Sequence, residues 1–368
     1  MLFRSISYGF LSRSIVRCDI FCRVVDNLGD IGVSWRLARQ LAVEHGWVVR
    51  LWLDDLASLQ QLCAAPESSG VTVFKLDDAA AFPEPAEVVI EPFGCGLPQR
   101  YVDAMAARYK KPLWIVLEYL SAEPWVSGCH GLPSPHPRHD IPRYFFFPGF
   151  AAGTGGVLCE SDLLARRDAF DVHSWWRKLG MTPPPPDTLT VSLFAYAHAP
   201  YAAWLEACSR GEHKTLVLLP DGELAREVRA RWAHGEGALE LRYIPFAPQA
   251  QYDNLLWACG VNFVRGEDSF VRAQWAGKPF VWHIYPQAQQ AHATKLDAFL
   301  HQYAAHTAQA VFWRAWNGVP GAPALDTAWH AFVTALPELR KAANAWPDRL
   351  AMHGELAGNL VNFCKKRL

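Results

Sequence analysis

Four charged or polar side chains crowd one short stretch of the sequence. Arg265, Glu267, Asp268 and Ser269 lie between an apolar run and a run with helical spacing. The pattern predicts a strand, a charged turn and a helix that Asp268 or Ser269 caps. Free backbone N–H groups at a helix start attract phosphate, and Arg265 adds a positive charge. We therefore expect an anion site here, with an ordinary capped helix and solvated charges as the alternative.

A second polar stretch, residues 26–32, follows the first predicted strand and precedes a helical pattern. Two carboxylates in such a loop, Asp26 and Asp30, are typical of acid–base chemistry or of holding a cation. Gly29 is expected to turn the backbone tightly and bring Asp30 to a cleft. Gly29 and Gly32 form neither a GxGxxG fingerprint nor a P-loop. The alternative is that both carboxylates only cap the turn and the helix.

Aromatic side chains follow two strands predicted in the second half of the chain. Phe194 and Tyr196 share one face at the end of the first of them. Phe246, Gln249 and Tyr252 follow another. Rings that stack and an amide that contacts a polar edge suit a nucleobase, although ordinary packing explains any single ring. Together with an anion site and an acid on the opposite domain, they indicate a nucleotide-sugar transferase.

Length, composition and charge narrow the class of protein. The 368 residues suffice for two domains, and 51% of them are apolar, which allows two sizeable cores. A net charge of −1 disfavours a general nucleic-acid or membrane surface. No apolar run reaches about 18 residues, so no membrane span is predicted. The nine cysteines are odd in number and include no CxxC pair, which favours reduced thiols and a cytoplasmic location.

One cluster of possible metal ligands stands out. Cys129, His130, His136 and His139 lie close together in the sequence. Their spacing matches no common zinc pattern, and prolines interrupt it. We therefore predict no metal site and interpret the segment as a rigid loop with incidental imidazoles.

Strand and helix patterns alternate along the chain, which indicates an α/β fold with mostly parallel sheets. Apolar runs predict strands at residues 20–25, 48–53, 88–90, 113–117, 189–196, 215–219, 239–244, 261–264 and 279–283. Helical spacing begins at Val33, and Asp54 and Asp55 can cap the next helix. A further helix is expected at residues 97–109, with Pro98 in its first turn.

Four consecutive prolines mark the clearest domain boundary, because they hold an extended spacer. Residues 1–17 are basic and rich in serine, and we set them aside as an uncertain N-terminal extension. The predicted units are then a Rossmann-like domain at 18–182, a linker at 183–187, a second Rossmann-like domain at 188–345, and a C-terminal helix at 346–368 that packs back on the first domain. Two doubly wound domains facing a cleft are expected.

Several segments resemble one protein family. They are CDIFCRVVDNLGDIGVSWRLARQL, IEPFGCGLP, LEYLSAE and LLWACGVNFVRGEDSFVRAQWAGKPFVWHIYPQ. With these segments the chain resembles the bacterial arginine rhamnosyltransferases that modify elongation factor P, from Cys18 to the C-terminus. Two departures are visible: Gly260 stands where relatives usually carry Asp, and Leu28 where an aromatic residue is common. Neither is assigned to chemistry.

The resemblance implies a GT-B glycosyltransferase, in which two Rossmann-like domains face a cleft. It implies inverting transfer of L-rhamnose from dTDP-β-L-rhamnose to one arginine of elongation factor P, which helps that factor rescue ribosomes stalled at polyproline. The N-terminal domain would bind the acceptor protein and the C-terminal domain the donor. No metal or cofactor, no direct nucleic-acid contact and no membrane partner are implied.

The resemblance also implies residue roles. Asp30 matches the general base, Asp26 would orient the arginine, and Glu267 matches a second essential acid. The residues implied to bind the donor are Phe194, Tyr196, Phe246, Gln249, Tyr252, Arg265, Asp268, Ser269, Tyr285 and Gln287. One alternative is a catalytically silent binding protein that docks a translation factor and uses nucleotide for regulation. An epimerase or dehydrogenase is disfavoured because GxGxxG and a YxxxK pair are lacking.

Overall fold

Two sheets, one from each half of the chain, form the framework of the protein. The computed structural model describes residues 15–24, 28–63, 69–76, 84–286 and 291–368. Within these ranges the first sheet comprises β1 (Arg17–Cys22), β2 (Val48–Leu53), β3 (Val71–Lys75), β4 (Val88–Pro92), β5 (Leu113–Leu117), β6 (Pro133–Pro135) and β7 (Pro142–Phe146). The second comprises β8 (Leu189–Leu193), β9 (Thr215–Pro220), β10 (Leu239–Ile244), β11 (Val261–Arg265) and β12 (Phe280–His283).

Both sheets share one central strand order. The first runs β3-β2-β1-β4-β5-β7-β6 and the second β10-β9-β8-β11-β12. The pairing of β6 with β7 is antiparallel, whereas the strand pairs on either side of β1 and β8 are parallel. The winding direction reverses between β1 and β4 and between β8 and β11. Because ligands bind at such switch points, outside the carboxyl ends of the strands, the topology places a site there. The predicted α/β class with two Rossmann-like sheets is confirmed.

Helices connect the strands and cover the sheets. They are α1 (Leu28–Val43), α2 (Leu56–Leu62), α3 (Gln99–Ala107), α4 (Val126–Cys129), α5 (Leu163–Asp168), α6 (Val172–Lys178), α7 (Tyr201–Arg210), α8 (Glu223–Trp232), α9 (Gln249–Ala258), α10 (Asp268–Trp275), α11 (Ala291–Tyr303), α12 (Thr307–Trp316), α13 (Leu325–Thr334), α14 (Leu336–Ala351) and α15 (Leu356–Lys365). Among these described helices, none is both long enough and apolar enough to cross a bilayer.

Each predicted strand overlaps an observed one, with differences at the ends, but β3, β6 and β7 were not predicted. These three are short and mix apolar residues with proline or polar residues, so no continuous apolar run marks them. The bounds of β2, β5 and β10 coincide with the predicted ones. β1 begins at Arg17, whose Nη2 pairs with Glu87 Oε1 at 2.6 Å, so the strand reaches into the segment that sequence analysis set aside. β8 ends at Leu193, and Phe194 and Tyr196 therefore lie beyond the strand instead of at its end.

The helix α1 begins at Leu28, and the prediction that it starts at Val33 is wrong. Two glycines indicated a loop, since glycine costs about 1 kcal/mol in a helix interior. Ile31 and Val33 are buried in the core of the first sheet, and this packing outweighs the glycine penalty. Asp30 consequently lies in the first turn of a helix, not in a loop.

Two predicted helix starts need correction in detail. Asp55 caps α2, because its Oδ1 accepts hydrogen bonds from the N–H groups of Ala57 and Ser58. Asp54 does not cap; it accepts from the Val24 N–H at 3.1 Å and so joins the segments that follow β1 and β2. Pro98 precedes the first residue of α3 and does not lie in its first turn.

The last helix packs on the first sheet. Leu360, Val361 and Cys364 of α15 lie buried in the same core cluster as β1 and α1. The chain therefore returns to its first half after completing the second sheet. The domain boundaries proposed from the sequence stay a prediction.

Candidate active site

The carboxyl ends of strands from both sheets border one cleft. Two adjoining cavities in it share Gly29 and Gly266. The first spans about 660 Å³ and the second about 930 Å³, volumes that include space open to solvent. Clefts at the switch points of α/β sheets are common sites for small-molecule ligands. The cleft is therefore the candidate active site, at the place that the strand order indicated.

Aromatic, amide and charged side chains line the first cavity. Its walls are Leu28, Gly29, Leu62, Phe194, Pro220, Phe246, Ala247, Gln249, Tyr252, Arg265, Gly266, Asp268 and Ser269. Phe246 keeps 36% of its surface exposed, the highest degree of exposure among these rings, so it can receive a flat ligand. Phe194, Phe246, Gln249 and Tyr252 come from different loops and helices, and the structure brings them together as predicted.

Arg265 is held against two rings at the end of β11. Its guanidinium carbon lies 4.7 Å from the centre of the Phe194 ring and 4.6 Å from that of Tyr196. Tyr252 meets Phe194 edge to face at 5.9 Å. Tyr196 is buried and supports Arg265 from beneath instead of lining the first cavity. These cation–π contacts fix the direction of the arginine, which presents its charge to the cavity.

The turn between β11 and α10 differs from the predicted cap. Asp268 and Ser269 are the first two residues of α10, Glu267 precedes it, and none of the three caps it through a side chain. The Ser269 hydroxyl accepts from the Arg265 N–H at 3.1 Å and donates to the Arg265 carbonyl. Gly266 takes a φ of 60°, which favours glycine. The turn is thus closed by serine and glycine, and the first N–H groups of α10 are left without a capping side chain.

Asp268 is paired with an arginine that sequence analysis did not select. Arg36 Nε donates to Asp268 Oδ1 at 2.8 Å, and Arg36 Nη2 donates to Oδ2 at 3.1 Å. Burial alone would raise the pKa of Asp268, but the Arg36 charge holds that pKa below its usual range. Asp268 is therefore an anion fixed between the two sheets.

The Arg36–Asp268 pair belongs to a larger buried network. Arg36 Nη1 donates to Glu160 at 2.6 Å, and Glu160 also accepts from Arg272 at 2.6 Å. Arg272 in turn forms a bidentate ion pair with Asp253, with hydrogen bonds of 2.8 and 2.7 Å. The sequence contained one signal for this network: Arg36 and Arg272 interrupt the buried faces of two helices, where a charge requires a partner.

Asp30 and Glu267 reach the second cavity from opposite sheets. Asp30 is 3% exposed in the first turn of α1, and Glu267 is half-buried in the turn before α10. Glu267 Oε2 accepts from the Leu120 N–H at 2.9 Å, which ties this acid to the segment after β5. Two carboxyl groups beside one cavity can divide the roles of base and electrostatic stabiliser.

The protonation of Glu267 is shifted strongly. Burial raises its pKa to about 8; the Leu120 N–H opposes this shift, and the nearby charges of Asp30 and Asp268 add to it. Near neutral pH the group is therefore mostly protonated in the empty site. A cation entering the cavity would favour its ionised form.

Three further side chains shape the second cavity. Tyr285 is 47% exposed there, and Trp282 stacks on Phe270 with centroids 3.9 Å apart while donating to the Gly266 carbonyl. Lys295, on α11, also lines this cavity and partly offsets the shift of the Glu267 pKa. No sequence pattern pointed to Lys295, because α11 is separated by more than twenty residues from the charged turn.

Three predicted site residues either lie outside the described ranges or adopt another conformation than expected. Asp26 and Gln287 lie outside the residues that the structure describes. Gly29 does not make a tight turn: it lies in the first turn of α1 and is absent from the residues with positive φ. Its lack of a side chain instead leaves space where the two cavities meet.

The histidine-rich segment after α4 makes local contacts. His130 Nδ1 accepts from the Phe147 N–H at 3.1 Å, and the rings of His136 and His139 stack with centroids 5.2 Å apart. Over the described ranges, no group of three or more His, Cys, Asp or Glu side chains is arranged to hold a metal ion. All nine cysteines carry free thiols.

Comparisons with known proteins bear on this site. Residues 18–365 match the model of a family described as elongation factor P rhamnosyltransferase EarP. A protein-arginine rhamnosyltransferase of Pseudomonas putida is 45% identical over 95% of this chain and 99% of its own length. A second, from Neisseria meningitidis serogroup B, is 39% identical over 77% of each chain.

Solved structures give the same grouping. One, described as the structural basis for EarP-mediated arginine glycosylation of translation elongation factor EF-P, superposes with a TM-score of 0.67 at 35% identity. That match covers 96% of this chain and 100% of the other. The calicheamicin glycosyltransferase CalG4 superposes with a TM-score of 0.53 at 14% identity, over 96% of this chain and 99% of its own, which is a likeness of fold alone.

Proposed function

This chain belongs to the elongation factor P rhamnosyltransferase family, and from that membership we propose that it transfers L-rhamnose from dTDP-β-L-rhamnose to one arginine of elongation factor P. A glycosyltransferase of the GT-B type is the activity that the fold supports. One observation carries the proposal. Carboxyl groups from the two halves of the chain, Asp30 and Glu267, border the second cavity, and the first cavity, lined by aromatic rings, an amide and Arg265, adjoins it.

The donor fits the first cavity by its chemistry. Thymine would stack on Phe246, near Phe194 and Tyr252, because a flat base and an exposed ring share a large apolar contact. The diphosphate would lie at the start of α10, where Arg265 and the first backbone N–H groups offer positive charge. The sugar would then extend toward the second cavity past Gly266.

The acceptor arginine would enter the second cavity. Its guanidinium is a poor nucleophile, because it is protonated and delocalised with a pKa near ~13. Asp30 would accept a proton from one guanidinium nitrogen as that nitrogen attacks the anomeric carbon. The bond between that carbon and the diphosphate oxygen breaks on the opposite face, and dTDP leaves with the electron pair. A single displacement of this kind inverts the anomeric centre. Asp26 is proposed to orient the guanidinium.

Glu267 is proposed to stabilise positive charge once the substrates are bound. With a pKa of about 8 it is largely neutral in the empty cleft. The cationic guanidinium, and the oxocarbenium character that develops on the sugar, both favour its carboxylate form. Tyr285 and Gln287 are proposed to border the sugar diphosphate.

The proposed acceptor implies the cellular process that the reaction would serve. A rhamnosylated elongation factor P is proposed to rescue ribosomes stalled at polyproline. The enzyme is proposed to act in the cytoplasm, where free thiols such as its nine cysteines are stable, and to need no metal or cofactor. Direct contact with nucleic acid or membrane is not part of the proposal.

Mass spectrometry of elongation factor P tests the proposal. After incubation with this protein and dTDP-rhamnose, we expect a deoxyhexose increment on a single arginine. Elongation factor P with that arginine changed to lysine is the matched acceptor control and should stay unmodified. Binding of dTDP and elongation factor P without any mass increment would instead identify a catalytically silent binding protein and contradict the proposed transfer.

A further inference from the structure

One buried cation in the cleft has no part in the reaction proposed above. Arg36 is only 4% exposed and extends from α1, beside the first sheet, to α10, beside the second. Its guanidinium grips both oxygens of Asp268 at 2.8 and 3.1 Å. Its remaining terminal nitrogen donates to Glu160 at 2.6 Å. Arg36 therefore does not line the cavity but holds a side chain that does.

The same face of α1 makes a second contact with that wall. Gly32 lies one helical turn before Arg36, and residues four apart share a helix face. The Gly32 carbonyl accepts from Gln249 Nε2 at 2.8 Å. A Cβ at Gly32 would stand 3.3 Å from Gln249 Nε2 and 3.4 Å from Asp268 Cβ. This face of α1 is thus shaped to receive Asp268 and Gln249.

The orientation of the Gln249 amide follows from these contacts. Its nitrogen lies 2.8 Å from the Gly32 carbonyl and 3.0 Å from Asp268 Oδ2, and both partners only accept hydrogen bonds. The nitrogen is therefore committed to the protein. The amide carbonyl remains as the group with which Gln249 can meet a ligand in the first cavity.

We propose that Arg36 is a positioning residue: through Asp268 it fixes the Gln249 amide and the start of α10, and so aligns the nucleotide-binding wall with the helix that carries Asp30. This inference rests on the function proposed above. Stability alone does not explain the arrangement, because buried ion pairs are often no more stabilising than apolar residues of the same volume. The bidentate geometry of the Arg36–Asp268 pair also requires arginine, since lysine offers a single point charge.

Titration calorimetry with dTDP tests the inference on the full-length protein. Arg36→Lys keeps the positive charge but cannot form the bidentate hydrogen bonds to Asp268, and we expect dTDP affinity to fall about tenfold or more. Gly32→Ala retains every charge and adds one methyl group against Gln249 and Asp268. This variant should also bind dTDP more weakly than wild type. Arg50→Lys is the matched control, because Arg50 forms a comparable bidentate pair with Asp19, at 2.5 and 2.6 Å, and neither residue lines the two cavities. Its dTDP affinity should not change.

A double-mutant cycle separates positioning from general stability. If Arg36 acts through Asp268, then Arg36→Lys should have little further effect on dTDP affinity in an Asp268→Asn background. Additive losses would overturn the inference, as would unchanged dTDP affinity in both Arg36→Lys and Gly32→Ala at equal folded fraction. A wild-type protein that does not bind dTDP would overturn the donor assignment itself, and with it this inference.

Discussion

Asp30 is the side chain on which the proposed chemistry depends most directly. It is nearly buried in the first turn of α1 and borders the second cavity. Asp30→Asn keeps the shape and removes the proton acceptor, so we expect transfer to fall ~10²-fold or more. Initial rates of elongation factor P rhamnosylation check this, with dTDP affinity measured in parallel and expected to persist.

A matched carboxylate elsewhere in the first half controls for the loss of charge. Asp55 caps α2 and lines neither cavity, and asparagine also caps helices well. Asp55→Asn should therefore transfer at the wild-type rate. If Asp30→Asn did so as well, Asp30 would be only a helix-start residue and the displacement proposed above would be wrong.

Glu267 should make the protein less stable as the pH rises. Its folded pKa of about 8 lies above the ordinary value of 4.5, so between these values the native state binds more protons than the unfolded state. Stability from this group is therefore present at low pH and is lost as the pH rises through that window. Glu267→Gln removes the titration, and we expect it to melt a few degrees higher than wild type at pH 8 but not at pH 4.5.

Thermal unfolding followed across this pH range measures that difference. Glu240→Gln is a suitable control, since Glu240 lies exposed on β10 and pairs with Arg242 at 2.7 Å. Its melting temperature relative to wild type should not vary in the same way. A Glu267→Gln difference that stays constant from pH 4.5 to 8 would show that Glu267 is ionised in the empty cleft.

At the scale of elements, the loop from β10 into α9 provides the exposed ring of the nucleotide wall. Phe246 lies in that loop, and Gln249 begins α9. Phe246→Ala should make the binding free energy of dTDP less favourable by about 1–3 kcal/mol, the range measured for bases stacked on aromatic side chains. Acceptor affinity should change much less, because Phe246 does not line the second cavity.

Calorimetric titration with dTDP and, separately, with elongation factor P makes that comparison. Trp125→Ala provides the control, as Trp125 is likewise exposed, at 51%, and lines neither cavity. Its dTDP affinity should equal that of wild type. Unchanged dTDP affinity in Phe246→Ala would place the base elsewhere in the cleft.

Elements differ in how far the sequence determines them. β5 is a buried, continuous apolar run, and β2 is apolar apart from Arg50, so the bounds of both parallel strands could be predicted. The start of α1 could not be predicted, because Gly29 and Gly32 are typical of a loop. The helix is stabilised by burial of Ile31 in the core, which the local sequence does not show. The cap of α10 failed for a related reason. Ser269 and Asp268 are good capping residues, but the Ser269 hydroxyl bonds to the backbone of Arg265, four residues earlier, and the Asp268 carboxylate pairs with the distant Arg36.

For the whole molecule, alternation along the chain predicted two doubly wound sheets but not how they meet. The contacts between them join residues far apart in sequence, such as Arg36 with Asp268 and Gln40 with Glu355. No local pattern encodes such a pair; a charge on a buried helix face shows only that some partner exists. The aromatic set of the donor wall could be listed from strand ends, whereas Lys295 needed the folded cleft.

The charge inventory of the whole cleft also bears on whether a metal is needed. A divalent ion on the donor diphosphate would require ionised carboxylates with free oxygens. Asp268 has both oxygens engaged by Arg36, and Glu267, with a pKa of about 8, is largely protonated in the empty site. Arg265 and the start of α10 already offer positive charge to the diphosphate.

We therefore expect rhamnose transfer to persist in excess EDTA. Initial rates with the chelator, with added magnesium or manganese, and with neither should agree. The control is a metal-dependent glycosyltransferase assayed in the same buffers, which EDTA must stop. If EDTA stopped transfer by this protein and magnesium or manganese restored it, the ion would have to displace Arg36 from Asp268 or the proton from Glu267. One of these two carboxylates would then be a metal ligand, and the cationic role given to Arg265 would be shared with the ion.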